Sequence, residues 1–284
     1  MRIPPYWKRA TYTGPVPGGK SYTFTAWGWS FDSPDEAQDS AEARARRIYE
    51  HFTNQQPLDE YPYLDRPMRE EIVETFTLGN KEVAVLTRNR YGALVLNSPS
   101  VMFADVDFPK GKSSSGGGGL FGMFSKPAPA ANDPAASTIQ RVNEWAQQNP
   151  QHAFRLYRTA AGLRLLFTDD LYDATDNQTD AMLESLGSDP LYRTLTQKQE
   201  SFRARLTPKP WRAKCSNPPN RYPWESSSDE QAYRAWENNY AACTRDYKTA
   251  ELIQVVGPES GDEEIQQIIQ IHDQYALSGG VRLA

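Results

Sequence analysis

Two aspartates, Asp105 and Asp107, stand two positions apart at the end of an otherwise apolar run, VMFADVDFP (101–109). In a strand, residues i and i+2 project from the same face, so this spacing aims both carboxylates at one point. Two carboxylates a few ångströms apart repel and are costly to ionise unless a cation sits between them. Mg²⁺ or Mn²⁺ accepts carboxylate oxygens together with substrate phosphates. A solvated strand end preparing the turn at Pro109 accounts for the same residues without chemistry. Downstream, YRTAAGLRLLF (157–167) reads as a hairpin that carries Thr159, Gly162 and Arg164. Between Arg193 and Lys214 lie seven basic residues against one acid, Glu200. There Lys209, Arg212 and Lys214 could track a phosphate backbone while Trp211 stacks on bases. A solvated helix followed by a Pro-rich turn is the plainer reading of that segment.

A strand with D-x-D, a helix, then a hairpin with small-x-x-Gly-x-His resembles the archaeo-eukaryotic primase superfamily, over about residues 70–170. The resemblance implies an RRM-like palm unit in which Asp105 and Asp107 hold Mg²⁺ or Mn²⁺. It also implies that Arg164, at the place of the family's histidine, meets nucleotide phosphates, with Thr159, Arg158 and Arg155 in support. Arginine cannot act as a neutral acceptor, but it can grip phosphate with both arms of its fork. Two features depart from the family pattern: the histidine is absent, and Asp169 or Asp170 is the nearest counterpart of the third acidic motif. The function expected on this basis is a metal-dependent nucleotide or nucleic-acid enzyme of nucleotidyltransferase type. The alternative is a non-catalytic binding or scaffold protein that keeps the palm-like shape. The partners expected are a nucleotide or single-stranded nucleic acid.

Elements must position these residues. SYTFTAWGWSF (21–31) has strand composition. A helix follows over 34–53, with Ser33 as cap, Pro34 in its first turn and Asp35 and Glu36 at the positive end of the dipole. Four strand candidates, 71–78, 81–88, 91–98 and 101–108, joined by turn dipeptides, suggest an antiparallel meander. A helix is expected over 135–149 and a hairpin over 153–169. From about 178 the pattern turns helical, with Tyr233, Trp236, Tyr240 and Cys243 along one helix face, read as core. The expected fold is α+β. It has an extended arm (1–21), an antiparallel-rich core (22–177) interrupted by a flexible Gly/Ser/Pro-rich insertion (110–134), and a helical C-terminal region (178–284).

Of the 284 residues, 38% are hydrophobic and 12% aromatic, enough for a packed core. The net charge of −5 means that nucleic acid would have to be met by a local patch. The match of Gly14, Gly19, Lys20 and Ser21 to a P-loop pattern is discounted. Two prolines fill the loop, and an aromatic strand rather than a helix follows it. The two cysteines, Cys215 and Cys243, and the scattered His51, His152 and His272 fit no zinc spacing. The two thiols are expected to be free. MRIPPYWKRATY has no apolar core of a secretory signal, and no run suits a bilayer, so a cytoplasmic protein with no membrane partner is expected.

Overall fold

The computed structural model describes residues 1–54, 67–109 and 134–284. The insertion expected over 110–134 therefore lies outside the described residues, save for Pro134. The architecture is α+β, as the pattern suggested, and its sheets are antiparallel apart from one two-stranded parallel pair. Among the described residues no helix is long and apolar enough to cross a membrane.

The chain opens with a hairpin, β1 (Tyr6–Pro15) and β2 (Ser21–Ser30), paired over ten positions. Residues 6–15 of the expected extended arm are thus half of a ribbon. Helix α1 (Pro34–Thr53) begins where Ser33 accepts a hydrogen bond from the Glu36 amide, and it buries Ala37, Ala41 and Ala45 against the hairpin. Small residues four apart form a flat stripe, so helix and strand backbones nearly touch. A Cβ built on Gly28 would lie 2.1 Å from the Ala41 nitrogen, so only glycine fits there.

Strands β3 (Glu71–Leu78), β4 (Lys81–Arg88) and β5 (Leu94–Ser98) form the expected meander. The fourth strand, β6 (Phe103–Asp107), does not continue it. Ser98 Oγ accepts from the amides of Ser100 and Val101, turning the chain away, and fully buried Val101 and Met102 lead it into a second sheet. That sheet has the order β11 (Ala250–Val256), β7 (Phe154–Thr159), β8 (Gly162–Phe167), β6. After helix α2 (Pro134–Gln148) come β7 (Phe154–Thr159) and β8 (Gly162–Phe167), with β8 seated between β6 and β7 and antiparallel to both. The result is a split β-α-β unit.

The C-terminal third has the expected helices α3 (Asn177–Leu186), α4 (Pro190–Gln199), α5 (Ser227–Thr244) and α6 (Glu263–Ala276), but strands interrupt them. Glu200 adopts a left-handed φ of 54° and ends α4, and Phe202–Arg205 then forms β9 beside β5. Its alternation, Phe202 and Ala204 buried and Arg203 and Arg205 half-buried, has the period of a strand. Residues 250–253, expected as the end of a helix, instead open β11 (Ala250–Val256) on the edge beside β7, consistent with its β-branched Ile253, Val255 and Val256. The short strands β10 (Tyr247–Lys248) and β12 (Arg282–Leu283) make the parallel pair. One apolar core joins both four-stranded sheets. Leu86, Leu96 and Ala204 of the first meet Phe103, Leu165 and Phe167 of the second, together with Trp145 of α2 and Ile268 of α6.

Candidate functional site

Asp105 and Asp107 lie on one strand face, with Asp105 opposite Arg164 and Asp107 opposite Gly162. Gly162 is required here, because a Cβ would fall 2.3 Å from the Val106 carbonyl oxygen. The Arg164 guanidinium forms a two-pronged fork with Asp105. Its Nε donates to Oδ1 at 2.9 Å and its Nη2 to Oδ2 at 3.1 Å, while Nη1 donates to the Arg205 carbonyl at 2.9 Å. The Arg164 side chain is 4% exposed and that of Asp105 39%. Burial alone lowers the Arg164 pKa, but the Asp105 charge and hydrogen bonds outweigh it and hold the guanidinium above its ordinary range. The residue expected to hold phosphate is therefore spent on the residue expected to hold metal.

Of the other expected supports, Thr159 and Arg155 are also committed, whereas among the described residues Arg158 is not. Thr159 Oγ1 donates to the Gly162 carbonyl and closes the hairpin turn. Arg155 donates to Glu259, Asp273 and the Tyr157 hydroxyl. Arg158 is exposed on β7, opposite Leu163 and Glu251. Asp169 binds His152 Nδ1 at 2.7 Å and the Tyr172 hydroxyl at 2.8 Å. It lies five residues beyond Arg164, roughly 16 Å along a strand, so a third carboxylate does not converge on Asp105. Among the described residues no group of three metal-ligating side chains forms. A divalent cation at Asp105 would sit against a buried guanidinium that already occupies both carboxylate oxygens. The donor set does not fit Mg²⁺ or Mn²⁺.

The chain matches no family model, no curated protein and no solved structure.

The structure sorts the basic segment into two groups. Arg193 pairs with Asp180 and Glu184, and Arg203 with Glu70, so these two are structural. Lys198 lies in the last turn of α4 and Arg205 ends β9, whereas Lys209, Arg212 and Lys214 belong to a single turn of 3-10 helix, Pro210–Ala213, and its two flanking residues. Trp211 is 48% exposed, with the Tyr91 ring edge-on at 4.9 Å and the Lys209 ammonium 5.6 Å from its centroid. Arg90 lies over Tyr91 and donates to its hydroxyl. Burial, then repulsion from Arg205 and Arg212, lowers the Lys209 pKa, opposed by Tyr91 and Asp107. Burial, then Arg164 and Arg212, push Arg205 down to about 10, against the pull of Asp105. Lys214 is exposed just beyond the turn, at φ 58°. Lys209 thus feels the Asp107 charge and Arg205 that of Asp105.

Helix α5 holds this turn in place. Tyr240 donates to Thr207 Oγ1 and to the Pro208 carbonyl, and Trp236 Nε1 donates to the Ser216 carbonyl at 2.9 Å. Tyr233, Trp236 and Tyr240 are buried, the core role their spacing implied. Cys215 is buried in the same cluster and Cys243 packs against it, both as free thiols. Tyr91, Arg90 and Arg205 were not singled out from sequence. Arg205 lay inside the basic segment, and its place in the FRAR alternation was the available signal. Tyr91 reaches Trp211 only through the turn between β4 and β5, which a local reading cannot show.

Proposed function

We propose that this protein is a non-catalytic binding protein for single-stranded nucleic acid, built on a palm-like sheet. The observation that carries the reading is the half-exposed Trp211, edged by Tyr91 and with the Lys209 ammonium 5.6 Å from its ring, in a turn that also carries Arg212. An aromatic face beside clustered cations is the arrangement that stacks bases and neutralises backbone phosphates without reading sequence. The split β-α-β order, with the D-x-D strand beside the Gly-x-Arg strand, supports the palm-like part of the reading. The fork between Arg164 and Asp105 supports the non-catalytic part, because it neutralises the carboxylate that a metal-dependent reaction would need.

Titration of a fluorescent single-stranded oligonucleotide against salt tests this. Affinity falls with a log–log slope set by released counterions, about 0.7 per single-strand phosphate contacted. Replacing Lys209, Arg212 and Lys214 together by alanine flattens the slope by roughly 2, whereas Arg193→Ala leaves it nearly unchanged. Trp211→Ala costs about 1–3 kcal/mol of affinity with little effect on slope, since stacking releases no counterions. Absence of oligonucleotide binding at low salt removes the reading. Mn²⁺-induced broadening centred on Asp105 and Asp107 would overturn its non-catalytic half.

A further inference from the structure

The chain has two cysteines, and the fold brings both to one place. Cys215 follows the turn that carries Trp211, and its amide closes that turn by donating to the Pro210 carbonyl at 2.9 Å. Helix α5 holds the same segment from the other side. Trp236 Nε1 donates to the Ser216 carbonyl at 2.9 Å, and Asn239 Nδ2 reaches the Cys215 sulfur at 3.9 Å. Cys243 lies four residues beyond Asn239 and three beyond Tyr240, so it stands one helical turn further along the face on which Cys215 rests. Cys215 is 8% exposed in the cluster of Tyr233, Trp236 and Tyr240, and half-buried Cys243 packs against that cluster. Burial, then a hydrogen bond between the two thiols, pushes Cys215 up to about 11. Sulfurs already in contact must close to about 2 Å to bond. No helix or strand lies between the Trp211 turn and α5, so the backbone at Cys215 can supply that movement.

We propose that Cys215 and Cys243 form a reversible disulfide, a covalent clasp between the root of the Trp211 turn and helix α5. The oxidant is a small disulfide of the glutathione class. Cys243, the more exposed thiol, enters first: its thiolate attacks glutathione disulfide, forms a mixed disulfide and releases one glutathione thiolate. Cys215, buried beside it, then attacks the Cys243 sulfur as thiolate and expels the second glutathione thiolate. Two electrons pass from the cysteine pair to the oxidant, and the two thiol protons end on the two glutathione thiols. A thiol that is rarely ionised suits the second step better than the first, because its partner is held beside it and its sulfur is the stronger nucleophile once deprotonated. The clasp stands on the cysteine pair alone and does not depend on the nucleic-acid reading.

The experiment uses the full-length wild-type chain, fully reduced and folded, so no variant has to fold. It is incubated with glutathione disulfide, quenched with acid, and read by intact mass and by digestion without reductant. The expected product has lost two hydrogens, yields one linked peptide pair containing Cys215 and Cys243, and returns to the starting mass with dithiothreitol. Three results overturn the proposal: thiols that stay unreacted in the folded protein, a glutathione adduct that persists on either cysteine, or a dimer joined through Cys243. Brief alkylation of the reduced protein with iodoacetamide checks the order of attack. Cys243 should carry the label first, and the reverse order overturns its role as the entry thiol. Hydrogen exchange then asks whether the bond acts as a clasp. The Arg212 and Cys215 amides, which close the turn by donating to the Lys209 and Pro210 carbonyls, should exchange more slowly in the oxidised protein. Unchanged exchange at both amides overturns the clasp.

Discussion

Replacing Asp105 by alanine removes the carboxylate that neutralises a guanidinium only 4% exposed. Arg164 would then lie buried with the Arg205 carbonyl as its one remaining acceptor in this network. Stranding a buried charge in this way costs about 3–5 kcal/mol. The reverse change, Arg164→Met, strands a carboxylate that is 39% exposed and can be rehydrated in part. Its cost is nearer about 2 kcal/mol, mostly lost hydrogen bonds. The double variant strands neither charge, so its cost falls short of the sum by about 2–3 kcal/mol. Urea unfolding of the four proteins gives all three quantities from midpoints and slopes. An Asp105→Ala cost below about 1 kcal/mol, or additive singles, would refute the fork as a structural pair. A carboxylate held ready for a cation beside Asp107 makes the opposite forecast, since removing one of two repelling charges stabilises the free protein.

Other consequences are equally open to measurement. Gly28→Ala puts a methyl 2.1 Å from the α1 backbone at Ala41. It should cost about 1–3 kcal/mol or more by overpacking, and a Tm equal to wild type would show that helix and hairpin are not in contact there. His272 is fully buried, and burial lowers its pKa despite the hydrogen bond to Asp273. Its neutral form is favoured in the fold, so below about pH 6.5 the unfolded chain binds the proton first and stability falls as pH falls. His272→Leu should flatten Tm against pH on the acid side, and an unchanged slope would assign the acid loss to other groups.

How legible was this molecule in its sequence? Where local chemistry decides the structure, the sequence carries it. Ser33, Pro34, Asp35 and Glu36 do start α1, and the Tyr233–Trp236–Tyr240 stripe is core. The sequence does not carry a decision that is non-local. Nothing in NSPS says whether the next strand folds back beside β5 or crosses to another sheet, because both solutions bury Phe103 and Val106. β9 follows α4, and β11 follows α5 and the two-residue β10, with little punctuation, and helical composition on the upstream side masks a four-residue and a seven-residue strand. The aspartate pair does share a face, as the period of two requires. That Arg164 would face Asp105 across the ladder and consume it depends on hairpin register, which the sequence leaves open.

Trp211 and Tyr91 come from turns far apart in the chain, yet both turns are stitched to the same neighbours. The Leu94 amide donates to Thr207 Oγ1, and the Leu206 amide to the Leu94 carbonyl. Tyr240 grips Thr207 and Pro208 from the helix side, and the Trp236 ring lies against Gly92. A ligand arriving here meets a surface whose shape is already set, so the ordering entropy of the encounter falls on the ligand alone. Association should then run at the pace of diffusion and electrostatic steering, with no slow rearrangement phase. Differences in affinity among variants of the aromatic pair should appear as differences in residence time.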